Sequence, residues 1–439
     1  MKNINLSLGV CLALCSFGTL NAAENLEEAL VNGKLKTELK AAYVDQTNDG
    51  SPYNNENMLT TGIEMSYVTD PLYGFRIGLT GQGNASPLND DQNSKQMNRA
   101  EWWATGFVLS EAYLGYTFDK TDIKAGRQYV NMPLVSGNYT RAFKEAFEGV
   151  SVYNNNLPDT QIQAGWFYKF QGRTNAVMSA DSDKDGRAPV FKDRVVLGGV
   201  SPYAREFDNI FTIAAINKSI QDVTFTGSYA RVTNFASSNG NGDVNLFFGE
   251  INYIVPFDML KLVFDASYNG SRVDGEFDKE KFDGDMLGFR AGFKDFYGFA
   301  LYYAYTTVSD KDSTIISVGN GGNTYTSLPI RGPFVYTNQA GMDVHKILLE
   351  YNFAQVGVDG LKAAFHYVNG EQDSKNNKTN KDVDIKGWAT VVNYAVKQVK
   401  GLSAAVFYSE LEKDPNKSDA KTTEQDEIWI KLSYKFDVL

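Results

Sequence analysis

IKAGRQYVNMPLVSGNYTRAFKEAFEGV, residues 123–150, is the stretch that decides the fold. An alternating strand stops at the Asn-Met-Pro triplet that ends at Pro133, and a second alternating strand begins near Phe147. The segment 131–146 between them mixes charged side chains such as Arg141 with large apolar ones. It is too charged for a dry core and too apolar for a solvated tip. We therefore predict a loop that folds into a barrel, lines a wet inner wall and narrows a pore.

Length and composition favour one large β-rich domain. A chain of 439 residues could hold several soluble domains, but no Pro/Ser/Gly-rich linker divides it. We predict a single domain over residues 24–439. The 25 Tyr, 28 Phe and 39 Gly residues, with a mean hydropathy of −0.33, favour many strands, tight turns and aromatic belts.

Residues 1–23 have the pattern of a secretory signal peptide, with one early Lys, an apolar run and small residues at the end. We expect cleavage near Ala22 or Ala23. Both cysteines lie inside this segment, so the mature chain would have none. A lipoprotein site at Cys15 is the alternative, but the preceding Leu14 is larger than such sites normally accept.

The charge of the mature chain excludes some functions. Once Lys2 leaves with the signal peptide, 41 basic and 53 acidic residues remain, a formal net charge of −12. This balance argues against nucleic-acid binding, which needs clustered positive charge. No later stretch approaches 18 consecutive apolar residues, so the sequence excludes a helical membrane span. A closed β-barrel is the remaining way to cross a membrane.

Eighteen alternating segments follow the signal peptide, and the connections between them alternate between short and long. This sorting is typical of outer-membrane barrels, which have short turns at one end and long loops at the other. We predict an all-β fold, a transmembrane antiparallel β-barrel of about 18 strands with an inward-folded third loop. The segments are 34–45, 59–68, 74–83, 106–118, 122–130, 147–154, 160–170, 209–217, 222–232, 244–254, 259–269, 285–294, 298–307, 344–353, 361–369, 383–394, 402–411 and 426–436.

Side-chain parity divides each segment into an apolar face and a polar face. In 74–83, for example, Phe75, Ile77 and Leu79 share one face and Arg76 lies on the other. A solvated exterior over a dry core is the alternative interpretation of this alternation. The signal peptide and the sorted connections favour a polar lumen instead, and a barrel of this strand number is too wide for side chains to fill.

Four motifs of this chain resemble the strand and constriction loop of the OprD-type outer-membrane porins, including related major outer-membrane porins. They are AGRQ at 125–128, PL at 133–134, NYTR at 138–141 and FEG at 147–149. The short acidic segment 25–30 is similar to the helix that opens some of these relatives. The resemblance implies an 18-stranded pore that the third loop narrows, with a ladder of basic side chains that guides solutes bearing a carboxylate.

The resemblance assigns Arg127 and Arg141 to that ladder. Strand parity disagrees for Arg127, because it puts this residue on the lipid side with Ile123 and Ala125. A bulge at Gly126 would remove the conflict. We follow the resemblance and predict that Arg127 faces the lumen.

The candidate constriction residues are selected by this assignment, by the side-chain parity of the other strands and by the charges of the third loop. Carboxylates are expected on the inner face as well, so the lumen is mixed, and a solvated lining without a transport role is the alternative for each basic residue. The candidates are Arg76, Arg127, Arg141, Lys144, Glu145, Glu148, Arg290 and Lys294.

The fourth loop holds a second candidate site. Asp181, Asp183 and Asp185 alternate before a Gly, as in a calcium-binding loop. The twelfth position is Lys192, where such a loop needs a bidentate Glu. A solvated acidic tip is therefore the alternative to a calcium site.

The residues argue against catalysis. The two histidines, His345 and His366, fall on opposite faces of their strands, and the mature chain has no cysteine, so neither a cysteine nucleophile nor a histidine-based zinc site is available. We predict a passive diffusion channel, not an enzyme, that favours small carboxylate-bearing solutes or ions. The alternatives are a non-selective or cation-preferring porin stabilised by calcium, and a surface adhesin or structural barrel.

The expected location is the outer membrane of a Gram-negative bacterium. The expected partners are outer-membrane lipid, lipopolysaccharide, small solutes and the outer-membrane assembly machinery, which the terminal aromatics Tyr434 and Phe436 suit. Nucleic acid is excluded. The sequence leaves open whether the barrel is a monomer or a homotrimer.

Overall fold

The computed structural model describes residues 23–50, 55–87, 101–102, 104–179, 186–201, 203–238, 240–330, 337–372, 383–415 and 421–438. Within these ranges, two short α-helices, α1 (Leu26–Val31) and α2 (Asn175–Ser179), and two 3₁₀ helices, Gly275–Glu280 and Phe353–Val356, accompany the strands. No helix among these residues is long and apolar enough to cross a membrane. The strands are β1 (Lys34–Asp49), β2 (Glu56–Val68), β3 (Phe75–Ala85), β4 (Gly106–Phe118), β5 (Thr121–Gln128), β6 (Ala146–Asn154), β7 (Thr160–Gln171), β8 (Arg194–Val195), β9 (Arg205–Glu206), β10 (Asn209–Asn217), β11 (Val223–Ser237), β12 (Gly240–Pro256), β13 (Lys261–Val273), β14 (Asp285–Phe296), β15 (Phe299–Val308), β16 (Met342–Asn352), β17 (Leu361–Gln372), β18 (Asp384–Ala395), β19 (Leu402–Asp414) and β20 (Thr423–Asp437).

Eighteen of the strands in the described ranges form one antiparallel sheet that closes on itself. Each pairs with its neighbours in sequence, and β1 pairs with both β2 and β20. The remaining two, β8 and β9, form a small separate ribbon. The predicted 18-stranded barrel is thus confirmed. Several strands are longer than predicted, such as β12 with 17 residues, because alternation fades where a strand extends beyond the apolar band.

The two faces of the barrel follow the predicted parity. On β3, Phe75, Ile77 and Leu79 are 48%, 43% and 42% exposed, as expected for side chains that face lipid. His345 and His366 also lie on opposite faces, His345 outside with its Nδ1 2.6 Å from the hydroxyl of Tyr303. Apolar side chains outside and polar ones inside are the arrangement that a membrane barrel requires.

Four long connections emerge at the same end of the barrel, and they are named here by their order among the loops at that end. They are L2 (86–105), L3 (129–145), L4 (172–208) and L7 (309–341). L3, L4 and L7 are hydrogen-bonded to one another: the N–H of Ser136 donates to the carbonyl of Val318, and the N–H of Gly319 donates to that of Val196. Leu134 and Val318 are fully buried. The inward fold of L3 is confirmed, and L7 folds inward as well, which the sequence did not predict.

Phe147, at the start of β6, anchors these loops to the inner wall. Its side chain is fully buried, with the ring centres of Phe167 and Phe170 5.4 and 5.0 Å away. Replacing Phe147 with Ala should lower the free energy of unfolding by about 3–5 kcal/mol, since it removes a large side chain from a packed site. Urea unfolding in detergent, followed by heat-modifiable gel mobility, measures this change. Phe147→Leu, which keeps most of the volume, should cost less than half as much, and equal losses in the two variants would contradict the packing role.

Candidate pore constriction

L3 reaches across the interior to the inner faces of β1, β2 and β20. The ammonium of Lys144 lies 3.1 Å from a Glu38 carboxylate oxygen and 2.8 Å from one of Glu64. Lys431 donates to the carbonyl of Thr140 at 2.6 Å. L3 leaves and re-enters the sheet at β5 and β6, so these contacts place the loop inside the barrel.

Three polar side chains of the wall fix the end of L3. The N–H of Lys144 donates to Gln82 Oε1 at 2.8 Å, and its carbonyl accepts from Gln171 Nε2 at 2.8 Å. Ser110 joins the two glutamines, as it accepts from Gln82 at 2.6 Å and donates to Gln171 at 2.7 Å. All three wall residues are buried. The backbone of Lys144, and therefore its ammonium group, has a defined position.

The ammonium groups of Lys144 and Lys40 both lie near the same carboxylate of the barrel wall. Lys40 lies 4.0 Å from Glu64, which also contacts Lys144. Burial alone would lower the pKa of Lys144, but the carboxylates of Glu64 and Glu38 outweigh it and raise that pKa above its usual value. The ammonium of Lys144 therefore stays charged throughout the physiological range.

Arg141 and Lys431 form the other half of the candidate constriction. The guanidinium carbon of Arg141 lies 4.5 Å from the ring centre of Trp102 and 4.4 Å from that of Trp429. The ammonium of Lys431 lies 4.8 Å from the Trp429 ring. Indole faces attract cations, so these rings help to position both groups.

These two pairs of cations line one cavity of about 120 Å³. Among the described residues, its lining includes Lys40, Arg141, Lys144 and Lys431 and one carboxylate, Glu38. The other described lining side chains are neutral. The excess of positive charge makes the cavity a suitable place for a small anion.

Glu145 does not line this cavity, contrary to its assignment as a constriction residue. It is fully buried between L3 and L7, where it accepts from the N–H of Asn138 at 2.8 Å and from the N–H and side chain of Asn320 at 3.0 and 2.6 Å. Arg173 of L4 lies 3.5 Å away. Burial raises the pKa of the Glu145 carboxyl, while Arg173 opposes that shift. Through these contacts, Glu145 joins L3, L4 and L7.

Replacing Glu145 with Ala should free L3 and L7 locally, because it leaves two backbone N–H groups buried without their acceptor and removes one of the two carboxylates beside Arg173. Losing one partner of a buried charge pair costs about 3–5 kcal/mol, so amide hydrogen exchange over 134–145 and 316–321 should accelerate at least about a hundredfold. Glu145→Gln keeps one acceptor oxygen and should accelerate exchange less. Unchanged exchange in both variants would show that Glu145 does not hold the loops.

Arg76, Arg290 and Lys294 face inward, as parity predicts, but the structure does not bring them to the cavity. Arg76 lies 2.6 Å from Asp122, close to the end of the barrel with the short turns. Arg290 is 2.7 Å from Asp265 on the neighbouring strand. Lys294 follows four residues further along the same strand. These residues belong to other parts of the wall.

Arg127 and Glu148 lie on the outer face of the barrel, so the inward prediction for Arg127 is wrong. Gly126 has a φ of +127° but introduces no bulge, since the pairing of β5 with β4 and with β6 is uninterrupted there. Parity is therefore preserved. Gln128, next in the strand, points inward and donates to the carbonyl of Gly149, whereas Arg127 pairs with Glu148 at 3.0 Å outside.

Comparison with known proteins decides the family. The profile of "outer membrane porin, OprD family" matches residues 114–438. The chain belongs to the OprD family of outer membrane porins. Its barrel resembles Pseudomonas aeruginosa OpdO, with a TM-score of 0.74 and 15% identity over 94% of this chain and 99% of that one. Acinetobacter baumannii OccAB3 gives 0.74 and 15% over 93% and 100%, and P. aeruginosa OpdK with vanillate gives 0.74 and 13% over 93% and 99%. No curated protein matches the sequence.

Membership of the OprD family places this porin in the outer membrane. Asp181, Asp183 and Asp185, the candidate calcium ligands, lie outside the described residues, so the calcium site stays a prediction. Among the residues that the structure does describe, no group of three or more His, Cys, Asp or Glu side chains could hold a metal ion.

Sequence reasoning missed several residues of the porin's constriction. Trp102 comes from L2 and Trp429 from β20, more than 300 positions apart, and no local pattern links them. Asn320 lies in L7. The apolar pair Ile315-Ile316 in this loop was the one sequence signal that part of L7 is buried. Such a run in a long loop indicates burial.

Proposed function

We propose that this OprD-family porin is a diffusion channel that favours small solutes bearing a carboxylate. The observation that carries the proposal is the cavity, whose described lining residues include four cationic side chains and one carboxylate. Inside a narrow, partly desolvated site, a charge about 4 Å from a carboxylate is worth about 4 kcal/mol at an effective dielectric near 20, against about 1 kcal/mol in bulk water. The cavity is therefore expected to concentrate anions.

The same arrangement supports release of the solute. Lys40 and Lys144 already share the carboxylates of Glu64 and Glu38, and Arg141 and Lys431 rest on indole rings. Each cation thus has an intramolecular partner to which it returns when the anion leaves. Conduction needs sites that are favourable enough to enter and shallow enough to leave.

A cation-preferring pore is the second candidate function. Its support is the set of inward carboxylates away from the cavity, such as Asp265 and Glu350, together with the negative net charge of the chain. Asp265, however, is paired with Arg290. The anion-favouring proposal has the stronger support because, among the described residues, the four basic side chains of the cavity outnumber the two carboxylates beside them, Glu38 and Glu64. P. aeruginosa OpdK, which has a similar fold, was solved with vanillate, a small carboxylate.

Liposome swelling with matched solutes tests this function. Proteoliposomes are exposed to galacturonate or galactose, which have nearly the same size, differ in charge and hardly cross a lipid bilayer unaided. We expect galacturonate to enter severalfold faster than galactose through the porin, and neither to enter liposomes without protein at a comparable rate. Equal rates for the two solutes through the porin would contradict the carboxylate preference.

A further inference from the structure

A row of charged side chains crosses the outer face of β5, β6 and β7. Arg127 is directly opposite Glu148, and Glu148 is directly opposite Lys169. Glu148 lies 3.0 Å from Arg127 and 3.9 Å from Lys169, and it accepts from the hydroxyl of Tyr168 at 2.8 Å. Within the part of the chain that the structure describes, one carboxylate therefore serves two cations, so one of the two positive charges has no carboxylate of its own.

The row lies at the level where the outer leaflet meets water. It is close to the strand ends that lead into the long loops, and these loops mark the outer side of such barrels. Trp166, 42% exposed, and Tyr168 lie just below it with ring centres 5.5 Å apart. Tyr and Trp mark the membrane interface. Lys169 follows directly after them, which puts it at the height of the lipid headgroups.

The cations of this row are more accessible than their carboxylate. The side chains of Arg127 and Lys169 are 37% and 42% exposed, whereas that of Glu148 is 15% exposed. Phe191 of L4 supports Arg127 from one side, with its ring centre 4.5 Å from the guanidinium. The remaining N–H donors of the pair are therefore open to a ligand that approaches from the membrane side.

We propose that Arg127 and Lys169 form a binding site for the phosphate of a lipopolysaccharide headgroup. A guanidinium and an ammonium side by side match a phosphate in charge and in hydrogen bonding. The outer surface is not basic throughout: on β19 and β20, Glu410 is directly opposite Asp426. The site would hold the lipid against one sector of the barrel.

Binding of purified lipid A to the full porin in detergent tests the proposal, with native mass spectrometry as the readout. Since each basic side chain near an anionic surface contributes roughly a factor of five, Arg127→Gln combined with Lys169→Gln should weaken binding about twenty-five-fold. Arg231→Gln is the matched control. Arg231 is 48% exposed on the side chain and has its own carboxylate, Asp243, at 2.5 Å, so its removal should leave binding unchanged.

Three further measurements of lipid A binding test the proposal. Glu148→Gln removes the competing carboxylate and should strengthen binding. Dephosphorylated lipid A should bind weakly to the wild type, with the same affinity that intact lipid A has for the double variant. Millimolar inorganic phosphate should not displace lipid A from the wild type. Unchanged lipid A binding by the double variant, equal binding of dephosphorylated lipid A, or displacement by inorganic phosphate would each overturn the proposal. Heat-modifiable gel mobility confirms that every variant is folded.

Discussion

Replacing both Arg141 and Lys431 with Gln is expected to lower the ratio of anion to cation permeability roughly tenfold. The two side chains supply half of the cations around the cavity, and one charge at about 4 Å is worth between about 1 and 4 kcal/mol. Gln can still donate to the carbonyl of Thr140, so the fold of L3 should be preserved. The reversal potential of single channels in a KCl gradient measures the ratio.

The control for this double variant is Lys279→Gln. Lys279 lies in the 3₁₀ helix Gly275–Glu280, and its side chain is 60% exposed. Salt screens exposed charges over about 8–10 Å, so its removal should leave the reversal potential unchanged. Equal shifts from Lys279→Gln and from the double variant would show that general surface charge, and not the cavity, sets the selectivity.

Deleting residues 136–141 of L3 is expected to raise the single-channel conductance severalfold. The deletion removes Arg141 and the contacts of Ser136 and Asn138 with L7, where Asn138 donates to the carbonyl of Asn320 at 2.9 Å. L7 then loses part of its support inside the barrel and keeps its hydrogen bonds to L4. A barrel of 18 strands is wide enough to conduct freely once its loops no longer obstruct it. Planar-bilayer recording measures the conductance.

A deletion of similar length provides the comparison. Removing residues 416–420, between β19 and β20, shortens a different connection and leaves L3 and L7 intact, so the conductance should stay close to that of the wild type. Both proteins should show heat-modifiable mobility. Wild-type conductance in the L3 deletion would mean that the loop does not limit ion flow.

The strand count could be predicted because a barrel imposes two simple signals on its sequence. Outward side chains must be apolar at every second position, and connections must alternate in length. Both signals are local, and together they were sufficient for the fold. The position of Arg141 in the constriction came from the family resemblance, whose NYTR motif lies in L3.

The remaining errors have physical causes. Arg127 was predicted inside because the family resemblance assigned it to the basic ladder and a bulge at Gly126 was expected to reverse its parity, yet Gly126 adopts a positive φ without a change of pairing. Glu145 looked like a lining charge, because the sequence does not reveal that Asn320 and Arg173 would surround it. Contacts between loops that are distant in sequence produce no periodic sequence pattern from which they could be predicted.

The reversal potential of the wild-type porin, recorded from single channels in a tenfold KCl gradient, tests the central claim most directly. The four cations around the cavity predict a potential of the sign given by chloride passing faster than potassium. The potential should move towards zero as the salt concentration rises on both sides, because screening weakens the field of the cations. A potential of the opposite sign would contradict the account, since it would mean that the carboxylates of the wall, and not Lys40, Arg141, Lys144 and Lys431, control passage.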